Sequence, residues 1–262
     1  MSEKGVLMKK TIILILLAAA NLWGETLKET FSVGGRTQFD LSNISGDIQL
    51  FTGKEGTLKV EATREDERID ILFSQDGPRI RVETQYPEHY RSNKGGVRFD
   101  VWLPPQCRVD VQSISGNITM ADHGGEVHLK TVSGDIRLKG MGGDLELNTV
   151  SGDILMENLG NGRIEVNSVS GDIDIRGIIL TDGSVRLNTT SGNIDLQHGK
   201  EASYYLRGQS ISGRISVPEQ LGVTVEKEKY TGMHRCQGSV NGGETDLDVN
   251  TISGAITIRT PS

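Results

Sequence analysis

Eight times along this chain a Ser-Gly pair is followed two residues later by isoleucine, with the serines at 45, 115, 133, 151, 170, 191, 212 and 253. From Ser115 to Ser212 the serines lie 18, 18, 19, 21 and 21 residues apart, and the next interval of 41 has room for two such units. A unit of about 20 residues cannot bury a core alone. It must lean on its neighbours, so the period dictates a stacked or arrayed architecture before any chemistry is considered.

Within each unit the apolar residues alternate. Counting from the serine as zero, positions −6 and −4 hold Phe39/Leu41, Val109/Val111, Val127/Leu129, Leu145/Leu147, Ile164/Val166, Val185/Leu187, Leu206/Gly208 and Leu247/Val249. Positions +3 and +5 continue with Ile48/Leu50, Ile118/Met120, Ile136/Leu138, Ile154/Met156, Ile173/Ile175, Ile194/Leu196, Ile215/Val217 and Ile256/Ile258. Spacing of two is strand spacing, so each unit is two short strands with one inward face. Between the strands, position −2 is small and polar (Asn43, Ser113, Thr131, Thr149, Ser168, Thr189, Ser210, Thr251), while −1 is Ile or Val except at Thr190. This shift of phase predicts a corner, with the glycine at +1 supplying the dihedral freedom. Positions −6, −4, −1, +3 and +5 make 40 sites in eight copies, broken only by Gly208 and Thr190, and all five are expected to line the interior.

Two architectures satisfy this pattern. One is all-β and built as a single-stranded β-solenoid, a β-helix-like coil of ~18–21-residue rungs. The other is an array of antiparallel β-hairpins turning at Ser-Gly. The coil is favoured, because only there do like residues stack on like, giving an isoleucine ladder at +3 and a Ser/Thr ladder at −2. Residues 57–104 lack Ser-Gly but alternate in Leu58-Val60-Ala62, Ile69-Ile71-Phe73, Ile80-Val82 and Val97-Phe99-Val101-Leu103. They predict an N-terminal β-strand cap that covers the open end of the stack. The expected organisation is therefore a leader over 1–24, an N-terminal β region over 25–104 that includes the first copy, and the repeat array over 105–262. Irregularity is expected at about 218–244, where Thr231-Gly232 replaces Ser-Gly, and Lys227 and His234 take normally apolar sites.

The leader rests on Lys9-Lys10 followed by the apolar run Ile12 to Ala20, the layout of a secretory signal peptide, with cleavage expected after Ala20 or Gly24. Nine apolar residues are too few to span a bilayer as a helix, which needs about 20. The protein is thus expected to be exported, to the periplasm, cell surface or extracellular space. The whole chain carries 28 Lys and Arg against 35 Asp and Glu; without the first 24 residues 25 and 34 remain, a formal charge of −9. Such a balance argues against nucleic acid or anionic lipid as a partner. The two cysteines, Cys107 and Cys236, flank most of the repeats. Stacked rungs would hold them too far apart for a disulfide, so Cys236 reads as a small buried hydrophobe.

The full layout resembles the bacterial putative-adhesin family of β-strand repeat proteins, a domain of unknown function. The features that carry the likeness are the early Ser-Gly copy, the strand ending in Val101-Trp102-Leu103-Pro104, the run from Val109 to Ile118, and the serial Val-Ser-Gly-Asp-Ile units. The resemblance covers about 30–262. It implies a β-helix-like domain at the bacterial envelope, in a family without an established enzymatic activity and with some members tied to envelope stress.

No residue type recurs with catalytic or metal-binding geometry, so no catalytic, cofactor or metal site is assigned and no cofactor is expected. The +2 column (Asp47, Asn117, Asp135, Asp153, Asp172, Asn193, Arg214, Ala255) could suggest calcium, but it also accepts Arg and Ala and lacks the Gly-rich nonamer of calcium-binding rolls. It reads instead as solvated turn carboxylates. The repeated serines have no histidine at fixed spacing, and His89, His123, His128, His198 and His234 show no ligand spacing. Tyr204-Tyr205 and Trp102 read as packing residues. The leading expectation is a non-enzymatic envelope protein whose ladder surface binds another macromolecule or acts as a structural scaffold. The rivals are a β-helix polysaccharide-active enzyme, with Asp172, Asp174 and Asp195 as nearest candidates, and self-association through the solenoid ends.

Overall fold

The computed structural model describes residues 19–21, 24–90, 95–243 and 245–261. Most of the leader expected over 1–24 lies outside these residues. The chain is a β-solenoid in which every rung contributes one strand to each of two 12-stranded sheets. The strand before each corner serine lies in an entry sheet and the strand after it in an exit sheet.

Parallel pairing in register settles the choice between coil and hairpins. Ser115, Ser133, Ser151, Ser170 and Ser191 stand side by side in the entry sheet. Ile118, Ile136, Ile154, Ile173 and Ile194 do the same in the exit sheet. Like therefore sits on like, which hairpins would not allow. The first copy obeys the same rule across a long excursion, with Ser45 beside Ser115 and Ile48 beside Ile118.

The excursion itself contributes one more rung and a cap. Ile80 and Val82 pair beside Phe39 and Leu41, while Phe99 and Val101 pair beside Ile48 and Leu50. Strands Arg79–Gln85 and Val97–Leu103 thus act as entry and exit strands without a Ser-Gly corner, the connection between them being longer. Beyond this rung pairing turns antiparallel: Asp70–Asp76 closes the entry sheet, while Thr57–Arg64 and Gly24–Ser32 extend the exit sheet towards the short edge strand Ala19–Asn21.

At the other end the stacking order departs from chain order. The Ser253 rung sits directly on the Ser191 rung, and the Ser212 rung sits outside it. The last repeat in sequence is therefore the penultimate one in space, whereas a simple coil lays each unit on the one before. Residues 218–244 supply the reason. His234–Val240 pairs antiparallel with Tyr204–Ser210, and Thr224–Lys227 pairs antiparallel with it in turn, making a hairpin that ends the entry sheet. Thr231-Gly232 lies between these two strands and is not a corner. The exit strand of the last rung, Ile215–Ser216, is only two residues long, and Pro218, two residues beyond it, lacks the N–H that further pairing would need.

One continuous core runs through the stack. Its walls are the −6, −4, +3 and +5 rows, nearly all inaccessible to solvent. The expectation fails at position −1. Ile44, Ile114, Val132, Val150, Val169, Ile211 and Ile252 are 39–52% exposed, while the small polar residues at −2 are buried. The entry strand keeps its alternation through −2 and runs extended as far as the serine, as in Val127–Ser133, so the phase changes only afterwards, at glycine. A corner interior is narrow and admits a short side chain; the hydroxyls of Thr131, Thr149 and Ser168 are buried there without a hydrogen-bond partner among the described residues, while others reach a carbonyl. Ser210 Oγ donates to Gly254 O at 2.8 Å, and Thr251 Oγ1 to Gly192 O at 3.2 Å.

The corner glycine is fixed by two constraints. At Gly152 φ is +144°, a conformation L side chains rarely adopt, and a Cβ there would lie 2.1 Å from the carbonyl oxygen of Gly134 in the neighbouring rung. The same clash, at 2.1–2.2 Å, recurs at Gly116, Gly134, Gly171 and Gly192.

Candidate functional site

Because each residue type forms a column, function is sought in columns rather than in a single cleft. The +2 column has a structural task. Asp47 Oδ1 accepts from the backbone N–H of Asn117, Asn117 from Asp135, Asp135 from Asp153, Asp153 from Asp172, Asp172 from Asn193, and Asn193 from Ala255, all at 2.7–3.0 Å. A side-chain oxygen at this position closes the backbone accounting of the next rung, which is why Asp and Asn alternate freely there. Among the described residues no group of three or more His, Cys, Asp or Glu is arranged to hold a metal.

The three carboxylates considered for glycan hydrolysis are separately engaged. Asp172 serves the Asn193 amide, Asp174 pairs with Arg176, and Asp195 pairs with Arg259. Asp174 and Asp195 are register neighbours on the outer face of the exit sheet.

The histidines are dispersed. His123 is buried at the far corner, in the row that holds Met141 and Leu159 in the next rungs, and its Nε2 lies 2.7 Å from the carbonyl of Cys107. Burial pushes its pKa below the usual imidazole value, with the Cys107 carbonyl opposing. His128 bridges Glu126 and Glu146 on the entry-sheet face. His198 packs edge-on against Tyr204, whose hydroxyl burial pushes well above its ordinary pKa.

Both cysteines are free and buried. Burial pushes the Cys107 thiol up to about 12 and the Cys236 thiol up to about 11, so neither is a nucleophile at neutral pH. Cys236 also accounts for the one glycine in the −4 row. It lies opposite Gly208 in the antiparallel pair, and a Cβ on Gly208 would meet its sulfur at 2.5 Å. Trp102 stacks on Phe51 at 5.3 Å, with the Lys59 ammonium 4.5 Å above the indole, a packed group at the N-terminal end of the exit sheet.

Two surface features remain. The first is the ridge of exposed β-branched residues at −1, running beside the corner on seven of the eight Ser-Gly rungs. The second is a column of side-chain amides at −3 on the outer face of the entry sheet, where Asn167 Nδ2 donates to Asn148 Oδ1, Asn188 to Asn167, and Asn250 to Asn188, at 3.0–3.2 Å. An open groove of about 440 Å³ lies between this column and the ridge, over Ser168, Thr189 and Thr251. Sequence reasoning missed both. The ridge was assigned to the core; the asparagine column, present at −3 of three consecutive repeats as Asn148, Asn167 and Asn188, was not singled out, and Asn250 joins it because the Ser253 rung follows the Ser191 rung.

Residues 91–259, well over half of the chain, match a family model described as Toastrack DUF4097. The chain belongs to the Toastrack DUF4097 family. This is a domain of unknown function, as the Ser-Gly-Asp-Ile units and the Val101-Trp102-Leu103-Pro104 strand led one to expect. Among solved structures the chain is similar to a putative cell adhesion protein from Clostridium sporogenes, at 13% identity and TM-score 0.41 over 90% of this chain and 100% of that one. It is also similar to a putative adhesin from Bacteroides fragilis, at 10% identity and TM-score 0.42 over 90% and 97% of the two chains. A putative adhesin from Parabacteroides distasonis stands at 10% identity and TM-score 0.39, over 90% and 97%. No curated protein matches the sequence.

Proposed function

We propose that the chain is a non-enzymatic, exported protein of the bacterial cell envelope, an adhesin-like scaffold whose long columnar surface binds another macromolecule. One observation carries the reading. Seven aliphatic side chains, 39–52% exposed, form a row interrupted only at Thr190, on a surface whose other columns are mainly polar. Adjacent strands lie ~4.8 Å apart, so eight rungs place this row over roughly 34 Å. Contiguous apolar surface of that length is a feature of contact surfaces rather than of an inert exterior. Export is supported by Lys9-Lys10 and the apolar run that follows, and the acidic balance of residues 25–262 directs the partner away from polyanions.

The test is sedimentation of residues 25–262 with isolated bacterial envelopes. Saturable binding that survives 1 M NaCl is expected, and the triple substitution Val132→Asp, Val150→Asp, Val169→Asp should weaken it at least tenfold. Sedimentation that never saturates, or that the triple variant leaves unchanged, removes the reading. Turnover on a glycan panel that is lost in Asp174→Asn would replace it with the enzymatic alternative.

A further inference from the structure

We infer that the groove over Asn188, Asn250 and Gln209 is a binding site for an uncharged, extended polysaccharide lying along the coil axis. This deepens the envelope-binding reading and rests on it.

The argument begins with unused hydrogen-bonding capacity. Asn167, Asn188 and Asn250 each give one N–H to the preceding amide, which fixes the orientation of the oxygen and nitrogen and leaves a second N–H and a lone pair. Asn167 directs that second donor at Glu165, at 3.4 Å, and Asn148, at the start of the column, directs an N–H at Glu146, at 3.1 Å. In the next two rungs the residue two positions earlier is Arg186 and then Asp248, and no intramolecular acceptor takes the second N–H of Asn188 or Asn250 among the described residues. Gln209, next in register after Asn250, has no side-chain hydrogen bond among them either. Asn188 and Asn250, oriented by the column, and Gln209 beside them therefore present free amide donors on three consecutive rungs, and the groove lies over these rungs.

The walls specify the ligand further. Ile211 and Ile252 form an aliphatic side, suited to the C–H face of a sugar ring, opposite the amides. Charge nearby is cancelled in place: Arg207 holds Asp246 and Asp248 at 2.6 and 2.7 Å, and Arg186 stands 3.9 Å from Asp248. The formal charges of these four residues beside the amides sum to zero, which gives an ionic ligand no net attraction from them. Its donors repeat at the strand spacing of ~4.8 Å, close to the advance per residue of an extended, β-linked glycan. A β-1,4-linked glycan turns over at each residue, so its same-side groups recur at about every second rung, whereas an extended peptide advances about 3.3 Å per residue and about 6.6 Å between same-side groups, neither a whole multiple of the rung spacing. Beyond Gln209 the groove continues into a hollow of about 410 Å³ that shares Gln209 and Asn250 and adds Gln237 and Arg235.

The probes are cello- and chito-oligosaccharides of two to six units, titrated calorimetrically into residues 25–262, with α-linked maltohexaose as the curved control. Binding is expected to tighten with length up to about four units and then level off, with maltohexaose inert. Asn188→Leu and Asn250→Leu should each raise Kd at least tenfold, whereas Gln197→Leu on the exit-sheet face should leave it unchanged. Ile252→Glu, an exposed change that leaves the amide column intact, should also cost at least tenfold, so that a folding defect in the Asn variants does not decide the matter. No binding of either series at millimolar concentration, or wild-type affinity in Asn188→Leu and Ile252→Glu, overturns the assignment. If envelope sedimentation persists in that case, only the glycan assignment falls; if it is absent too, the wider reading falls with it.

Discussion

The +2 column makes a prediction that separates two opposing electrostatic effects at one residue. Asp153 accepts the Asp172 amide, and its own amide is bonded to Asp135 Oδ1. It therefore stands between two other carboxylates, one rung to either side. At ~4.8 Å, two unit charges in water repel by roughly 0.9 kcal/mol, so removing the charge of Asp153 relieves somewhat under 2 kcal/mol before salt screening. The hydrogen bond works the other way. A bond of this kind contributes ~0.5–1.5 kcal/mol net, towards the lower end at an exposed corner where water can replace it. Asp153→Asn keeps the acceptor and loses the charge, as Asn117 and Asn193 do naturally, and should raise stability by about 1 kcal/mol at low salt. Asp153→Ala loses both and should come out near wild type, about 1 kcal/mol below Asn, by order of magnitude. The assay is equilibrium urea unfolding compared by midpoint, since a long stack need not unfold in two states. It should be run in 20 mM and 1 M NaCl, where the advantage of Asn over Asp shrinks while that of Asn over Ala persists. An Ala variant as stable as the Asn variant at both salts would show that the side-chain oxygen does not help hold successive rungs together.

Three further outcomes follow from the packing. Gly152→Ala places a methyl 2.1 Å from the Gly134 carbonyl with φ at +144°, and should cost 4 kcal/mol or more or abolish the fold, while Gly222→Ala, at φ +65° in open space, should cost only about 1 kcal/mol; thermal melts compare the two. Ile154→Ala removes a side chain that is 1% exposed and should cost ~2–5 kcal/mol, whereas Val150→Ala, four residues earlier and 47% exposed, should cost under about 1 kcal/mol, reversing the equality that the repeat suggests. His123, its pKa depressed below 6.5 by burial, is held neutral in the fold. The unfolded chain binds the extra proton, so stability is full above that value and falls as pH drops through it towards the folded pKa. His123→Leu, matching Leu159 in the same row, should flatten urea midpoints measured between pH 5 and 8.

How far the fold was legible depended on which signals were local. Period-two alternation, glycine at the corner and a constant offset between serine and isoleucine fix the strands and the coil, because each of these is decided within one unit. The side chains at −1 and −2 were misjudged because hydrophobicity alone argued for Val132 inside and Thr131 outside, whereas the strand phase, which runs unbroken from Val127, requires the opposite. Backbone geometry outranks the preference of a single side chain, and the β-branched residue is kept outside by its fit to extended backbone. The amide groove was hidden for a different reason. Asn148, Asn167 and Asn188 stand at −3 in consecutive repeats, but that Asn250 continues their column depends on rung order at the end of the stack, which is not a property of any single repeat.

That order was nevertheless encoded in the column chemistry. Two copies lack a side-chain acceptor at +2, Arg214 and Ala255. Stacked in chain order, the Ser212 rung would follow the Ser191 rung, Arg214 would interrupt the series of acceptors, and the Ala255 amide would face a side chain with no oxygen to offer. With the Ser253 rung inserted first, Asn193 Oδ1 receives the Ala255 amide, the two residues without acceptors become neighbours at the capped end, and the series from Asp47 to Ala255 is unbroken. The asparagines agree, since Asn188 then meets Asn250 rather than Gln209. Exchanging the two signals should therefore weaken the native order: Asn193→Ala with Arg214→Asn removes the acceptor that holds the Ser253 rung and supplies one where none is used. Stability should fall by about 1 kcal/mol, and amide exchange should rise first over residues 245–259. Protection there equal to wild type would show that the terminal hairpin alone sets the order.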